Sequence, residues 1–299
     1  MMNETLATLS NAFADSVETA GKSTVMVNGR RRMPSTGIVY AADLVITANH
    51  TIEREDDVKI TLPDGNSISS SLAGRDPARD IALLRLKNGH LVPPVNAKNP
   101  ARIGELVLAL GRPDDNGLQA SLGVVSAIGG PVRTPMGGML DKYLRSDTVP
   151  FPGFSGGPLI SADGSLIGMN TSGLAMETLI TIPVELLWPA AQALADHGHI
   201  RRPYLGVRSQ TVHLAAPQQE QLGRKQDSGL LLVSLDENSP AASAGLIVGD
   251  IVVGVNGQSM VDHEELQVAL NSAGAGSQVP IEVLRGGKPT IFQVTLGER

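Results

Sequence analysis

The stretch Pro152-Gly153-Phe154-Ser155-Gly156-Gly157-Pro158 sets one serine among glycines. Acyl transfer needs an activated alcohol and two backbone N–H groups converging on the carbonyl oxygen that becomes negative. Glycines let a loop take the turns that aim such amides. Ser155 is therefore the candidate nucleophile, with Gly153 and Ser155 as candidate oxyanion donors. A hydroxyl reacts poorly until a base takes its proton. Of the six histidines, only His50 follows an apolar run, Leu44-Val45-Ile46-Thr47, at the point where a buried strand would emerge. His90, His197, His199, His213 and His263 stand in polar or turn-like surroundings and read as solvated surface residues. Asp80 directly precedes the run Ile81-Ala82-Leu83-Leu84, which would bury its carboxylate against the imidazole, fix the tautomer and stabilise the imidazolium. Asp76, by contrast, opens a turn before Pro77.

Short apolar segments rich in Val, Ile and Leu must position these groups. They run over 23–27, 36–40, 44–47, 58–62, 68–73, 81–86, 106–110, 119–128, 143–146, 158–160, 166–171 and 179–183. Turn signals such as Pro63-Asp64-Gly65, Gly129-Gly130 and Asp163-Gly164 separate them, a spacing that predicts a β-sandwich or barrel. Helices are expected over 6–19 and over 184–197, the second with Leu186, Leu187, Ala190, Ala193 and Leu194 on one face and Gly198 as its C-cap. Arg201-Arg202-Pro203 then reads as a connector to a second unit with strands near 230–235, 251–255 and 281–284 and a helix over 262–271. The expected domains are 1–200 and 201–299.

Composition narrows the chemistry. The chain has 299 residues and a formal charge of −6, which excludes the broad basic footprint of a nucleic-acid binder. Arg30-Arg31-Arg32 reads as a solvated hairpin tip. With no cysteine there is no disulfide, thiolate nucleophile or Cys-based zinc site. No metal or other cofactor is expected. Nowhere does an apolar run approach the roughly 20 residues that span a bilayer. The first residues also lack the basic start and apolar core of a signal peptide. A soluble, cytoplasmic protein is expected from the sequence as written, or a periplasmic or cell-envelope one had an export or anchor segment been removed.

The order His50, Asp80, Ser155 is that of chymotrypsin and neither that of subtilisin nor that of the α/β-hydrolases. The chain resembles the HtrA/Deg family of trypsin-like serine proteases. The resemblance rests on Thr47-Ala48-Asn49-His50, on the Asp76 to Ala82 block, on Ser146-Asp147-Thr148, on Gly153 to Pro158 and on Gly168-Met169-Asn170-Thr171. It implies a mainly β fold: a double β-barrel with the catalytic groups in its cleft, followed by a small α+β PDZ domain. Val149, Pro150 and Phe151 would then floor the primary specificity pocket. No carboxylate lies there, so cleavage after Val, Ala, Leu or Met is expected and not after Lys or Arg. In the PDZ domain, Tyr204-Leu205-Gly206-Val207 would take a peptide's C-terminal carboxylate. Leu266 and Leu270 would line the side-chain pocket, and the peptide would add a strand to the sheet edge.

The function implied is ATP-independent degradation of misfolded or damaged polypeptides. A homotrimer with Phe13 among its contacts is implied as well. Three departures from the family stand out: Phe154 where Asn or Asp is usual, a short loop between Val27 and Gly37, and a short loop near Met176-Glu177-Thr178. Phe154 keeps a second reading open, that of an inactive peptide-binding or chaperone-like protein.

Overall fold

The computed structural model describes residues 2–136, 138–174 and 179–298; Met176, Glu177 and Thr178, named above for their short loop, lie outside them. The chain divides into two compact units, Met1–Ile200 and Arg201–Arg299.

The first unit opens with helix α1 (Met2–Gly21) and continues with β1 (Thr24–Asn28), β2 (Ser35–Ala41), β3 (Leu44–Ala48), β4 (Val58–Thr61), β5 (Ser67–Asp76) and β6 (Ile81–Leu86). These six strands close into a barrel in the order β1-β2-β3-β6-β5-β4. Residues 29–34, with the three arginines, form the tip between β1 and β2. Strands β2, β3 and β6 are apolar on both faces, and the two faces serve different cores. Val39, Val45, Ala82 and Leu84 join Val25, Val27, Val58 and Ile60 in one cluster. Ile38, Leu44, Ile46, Ile81 and Leu83 join Leu166, Met169, Ile180 and Ile182 in another. A strand buried on both sides has no polar face to alternate with, and this is why these segments read as continuous runs.

The second barrel is built from β7 (Leu106–Gly111), β8 (Gln119–Gly129), a small ribbon of β9 (Val132–Arg133) and β10 (Met139–Leu140), and then β11 (Tyr143–Ser146), β12 (Pro158–Ser161), β13 (Leu166–Thr171) and β14 (Ile180–Pro183). It closes as β11-β14-β13-β12-β7-β8. Helix α2 (Val184–His197) ends at Gly198 in the left-handed conformation. Its buried Leu187, Ala190, Ala191 and Leu194 share the cluster that joins the two barrels. Helix α1 packs Phe13, Val17 and Ala20 against Leu108, Leu110 and Ile160 and leaves Leu6 and Leu9 exposed.

The second unit contains β15 (Pro203–Tyr204), β16 (Val207–His213), α3 (Ala216–Leu222), β17 (Ser228–Leu235), α4 (Pro240–Ser243), β18 (Ile251–Val255), β19 (Gln258–Ser259), α5 (His263–Ala273), β20 (Gln278–Arg285), β21 (Lys288–Thr295) and β22 (Gly297–Glu298). The main sheet runs β16-β17-β18-β20-β21, with β19 beside β18, while β15 pairs with β22. Asp262 caps α5, its Oδ1 accepting from the Glu264 and Glu265 amides at 2.9 Å. The mainly β architecture predicted from strand spacing is the one observed. Strands β16 and β21 and helix α3 escaped that reading because they are largely solvent-facing: only one residue of β21 is buried and none of α3.

Candidate active site

His50 lies in a single 3-10 turn, Asn49–Thr51, where β3 leaves the barrel core. Asp80 ends the turn between β5 and β6 with φ at +57°, a region that Asp enters more readily than most residues. The Asn49 amide donates to the Asp80 carbonyl at 3.1 Å, and the Asp80 amide donates to that of Pro77 at 3.3 Å. Asp80 is 3% exposed. An ion so buried must be hydrogen-bonded to be tolerated. Its Oδ1 accepts from the His50 amide at 2.8 Å. Its Oδ2 accepts from His50 Nδ1 at 2.7 Å and from the Thr171 hydroxyl. With Nδ1–H committed to the carboxylate, the neutral imidazole presents Nε2 as its proton acceptor.

Ser155 lies between β11 and β12 and is 6% exposed. Its hydroxyl is 3.0 Å from Ser172 Oγ and accepts from the Ser172 amide at 3.3 Å. Among the described residues no hydrogen bond joins it to the His50 ring. Gly153 has φ +86°, and a Cβ there would come within 2.5 Å of Pro113. The amides of Phe154, Gly156 and Gly157 donate to the Phe151, Asn170 and Phe154 carbonyls, whereas those of Gly153 and Ser155 donate to no acceptor among the described residues. Phe154, the departure from the family, is fully buried with Val107, Ala109, Val125, Leu144, Leu159 and Ile167. Its ring lies over Gly111, which leaves space for it, and meets Phe151 edge-on with centroids 5.4 Å apart. Anchored in this way, Phe154 roots the serine loop in the second barrel.

Three consecutive residues at the end of β13 thread the site. Thr171 touches Asp80, Ser172 touches Ser155, and Gly173 abuts the carboxylate–imidazole pair, where a Cβ would lie 2.5 Å from Asp80 Oδ2 and 2.6 Å from His50 Nδ1. Sequence reasoning used Thr171 only as part of a resemblance and did not single out Ser172 or Gly173. The signal available was a pair of hydroxyls and a glycine directly after a buried strand.

Val149 and Phe151 are 50% and 42% exposed, and Pro150 is exposed as well; the Val149 amide donates to Ser121 Oγ at 2.8 Å. In the second unit Leu205, Leu266 and Leu270 are buried in the core. Gly206 has φ +78°, Val207 begins β16, and the Tyr204 hydroxyl donates to Asp236 at 2.6 Å. Among the described residues the amides of Leu205 and Gly206 have no acceptor. Strand β16 is an edge of the sheet. Beside it, His263 at the start of α5 places Nε2 2.8 Å from the Ser209 carbonyl and 2.9 Å from the Ser209 hydroxyl. Among the described residues no cluster of acidic, histidine or cysteine side chains is arranged to hold a metal.

A trypsin-like peptidase domain profile matches residues 35–169, and a PDZ domain profile matches 203–296. A protein of Pseudomonas putida (strain W619) named "Probable periplasmic serine endoprotease DegP-like" is 32% identical over 270 residues, which are 88% of this chain and 55% of that protein. "Serine endoprotease DegS" of Haemophilus influenzae is 28% identical over 274 residues, 88% of this chain and 76% of its own length. The chain thus spans about half the length of the first of these relatives. A solved structure, "HtrA-type protease AlgW with tripeptide", superposes with a TM-score of 0.73 at 27% identity, covering 96% of this chain and 97% of that one. The cytoplasmic location expected above is corrected by the relatives named periplasmic. It rested on the absence of a leader in the first residues, and a starting point carries no information about what precedes it.

Gly173→Ala is expected to force the imidazole and carboxylate apart, lowering kcat by roughly ten- to a hundred-fold, since displacements of about 1 Å at a reacting group carry losses of that order. Steady-state kinetics beside a thermal melt will separate this local effect from unfolding.

Proposed function

The chain belongs to the HtrA family of trypsin-like serine proteases, with a PDZ domain over residues 203–296, and on that premise we propose that it is a periplasmic endopeptidase with Ser155 as nucleophile. The observation that carries the reading is the pairing of an Asp80–His50 couple, hydrogen-bonded through Nδ1, with two acceptor-less amides, Gly153 and Ser155, on the serine loop. In this reading the Ser155 hydroxyl leaves Ser172 and turns to His50. Nε2 takes its proton as Oγ bonds to the substrate carbonyl carbon, and the Gly153 and Ser155 amides stabilise the oxygen that gains the electron pair. The C–N bond then breaks as His50 returns the proton to the leaving amine. Water repeats the sequence to free the acid and restore Ser155. Asp80 stays ionised and steadies the imidazolium.

In this reading unfolded polypeptides are degraded without ATP, and none of the chemical steps calls for a nucleotide. The apolar, uncharged stretch Val149-Pro150-Phe151 suits small or medium apolar side chains. The free Leu205 and Gly206 amides and the edge of β16 suit a peptide C-terminus, with Tyr204 and Val207 framing that loop and Leu266 and Leu270 beneath the pocket. A homotrimer belongs to the same reading. Phe13 is half-buried against its own barrel, and the exposed Leu6 and Leu9 of α1 are the apolar groups left for a partner copy. A second reading, a peptide binder with a silent centre, is favoured by one observation: the resting hydroxyl bonds to Ser172 and not to the imidazole.

Ser155→Ala separates the two. It is expected to abolish nucleotide-free casein degradation while a peptide with a free C-terminal carboxylate still binds; a wild type that never degrades casein would establish the silent centre instead. Mass spectrometry of casein fragments is expected to show cuts after Val, Ala, Leu and Met, and dominant cutting after Arg or Lys would refute the pocket assignment. Light scattering after gel filtration is expected to give three times the chain mass, falling to one in Leu6→Glu/Leu9→Glu.

A further inference from the structure

The serine loop is gripped from the opposite barrel by one residue. Thr36, on β2 and fully buried, donates its amide to the Ser155 carbonyl at 3.1 Å and its hydroxyl to the Gly153 carbonyl at 2.7 Å. The same hydroxyl accepts from the Arg112 amide at 2.9 Å, and the Thr36 carbonyl accepts from Thr47 Oγ1 at 2.6 Å. Every polar group that Thr36 brings to the loop is therefore engaged, and its rotamer is fixed by donor and acceptor together.

The consequence follows from peptide planarity. The Gly153–Phe154 peptide is held at both ends, its oxygen by the Thr36 hydroxyl and its N–H by the Phe151 carbonyl at 3.1 Å. The Ser155–Gly156 peptide is likewise held at both ends, its oxygen by the Thr36 amide and its N–H by the Asn170 carbonyl at 2.8 Å. The two peptide units that alternate with them, Pro152–Gly153 and Phe154–Ser155, carry the two N–H groups without an acceptor; the oxygen of the second also accepts from the Gly157 amide at 2.9 Å. Phe154, buried between the held planes, cannot swing out to let either one flip. We infer that Thr36 is a positioning residue for the oxyanion site: by pinning the Gly153 and Ser155 carbonyls from the other barrel it keeps their amides free and oriented before substrate arrives. The inference rests on the peptidase reading and deepens it. It adds a group that never touches substrate and acts only through the two amides.

Thr36→Val keeps the shape and the amide but removes the hydroxyl, whereas Thr36→Ser keeps the hydroxyl and removes the methyl. With an unstructured peptide substrate, Thr36→Val is expected to lower kcat about ten- to a hundred-fold, below the loss from deleting an oxyanion donor outright. KM should stay within about two-fold, since the Thr36 hydroxyl serves the transition state and not the bound substrate. Affinity for a tetrahedral peptidyl boronate should fall in parallel with kcat, and Thr36→Ser should recover most of both. Wild-type kcat and boronate affinity in Thr36→Val, or equal losses in the Val and Ser variants, would overturn the inference.

Should Thr36→Val not fold, amide spectra of the ligand-free wild type decide. One sharp resonance each for Gly153 and Ser155 supports a site formed in advance, and two populations for either refutes it. A wild type that neither cleaves peptide nor reacts with a fluorophosphonate sinks the peptidase reading itself, and the same spectra then judge the loop geometry alone.

Discussion

The first unit is organised around a carboxylate that must stay ionised out of water. Asp80 is almost completely buried, and its charge is tolerable only because the His50 amide, the His50 ring and the Thr171 hydroxyl all donate to it. Those donors come from both barrels: His50 follows β3 of the first, and Thr171 ends β13 of the second. Much of the local geometry follows from that demand. The left-handed backbone at Asp80 turns the carboxylate back toward the 3-10 turn, and the absence of a side chain at Gly173 lets the strand after β13 lie against the pair. Docking the barrels completes the set of donors to this carboxylate by bringing in Thr171.

The apolar packing serves the same end. Because β2, β3 and β6 bury one face inside their own barrel and the other against β13, β14 and α2, the inter-barrel surface is a continuous apolar core of its own. Contacts made across the seam need such a floor, since a loose interface would let the 2.7 Å hydrogen bond from Thr36 to the Gly153 carbonyl wander. Thr36 sits where that floor meets the serine loop, and Phe154 fastens the same loop from the other side.

His50, Asp80 and Ser155 stood out as candidates because each adjoins a conspicuous local pattern: the ends of two doubly buried strands and a glycine-rich loop. The strand positions in the first unit and the helix ending at Gly198 were legible for similar reasons, since period and punctuation are local. What stayed hidden was whatever depends on a distant partner. Thr36 follows Ser35 at the start of an otherwise apolar strand, and nothing adjacent to it says that it reaches a loop more than a hundred residues on. Phe154 looked like a threat to the loop because a bulky apolar ring stands where the family usually has Asn or Asp. The matching space is at Gly111, on another strand. Strands β16 and β21 were invisible because edge strands bury little and so show no alternation.

The division of labour between barrels also bears on when, in the proposed peptidase reading, the catalytic groups first meet. A partly folded molecule in which only the first barrel has closed holds a base and its counter-ion with no alcohol to deprotonate. One in which only the second has closed holds an alcohol with no base, on a loop lacking its grip from Thr36. Neither barrel alone brings the three groups together, so in the peptidase reading hydrolytic capacity arises only once both barrels have closed.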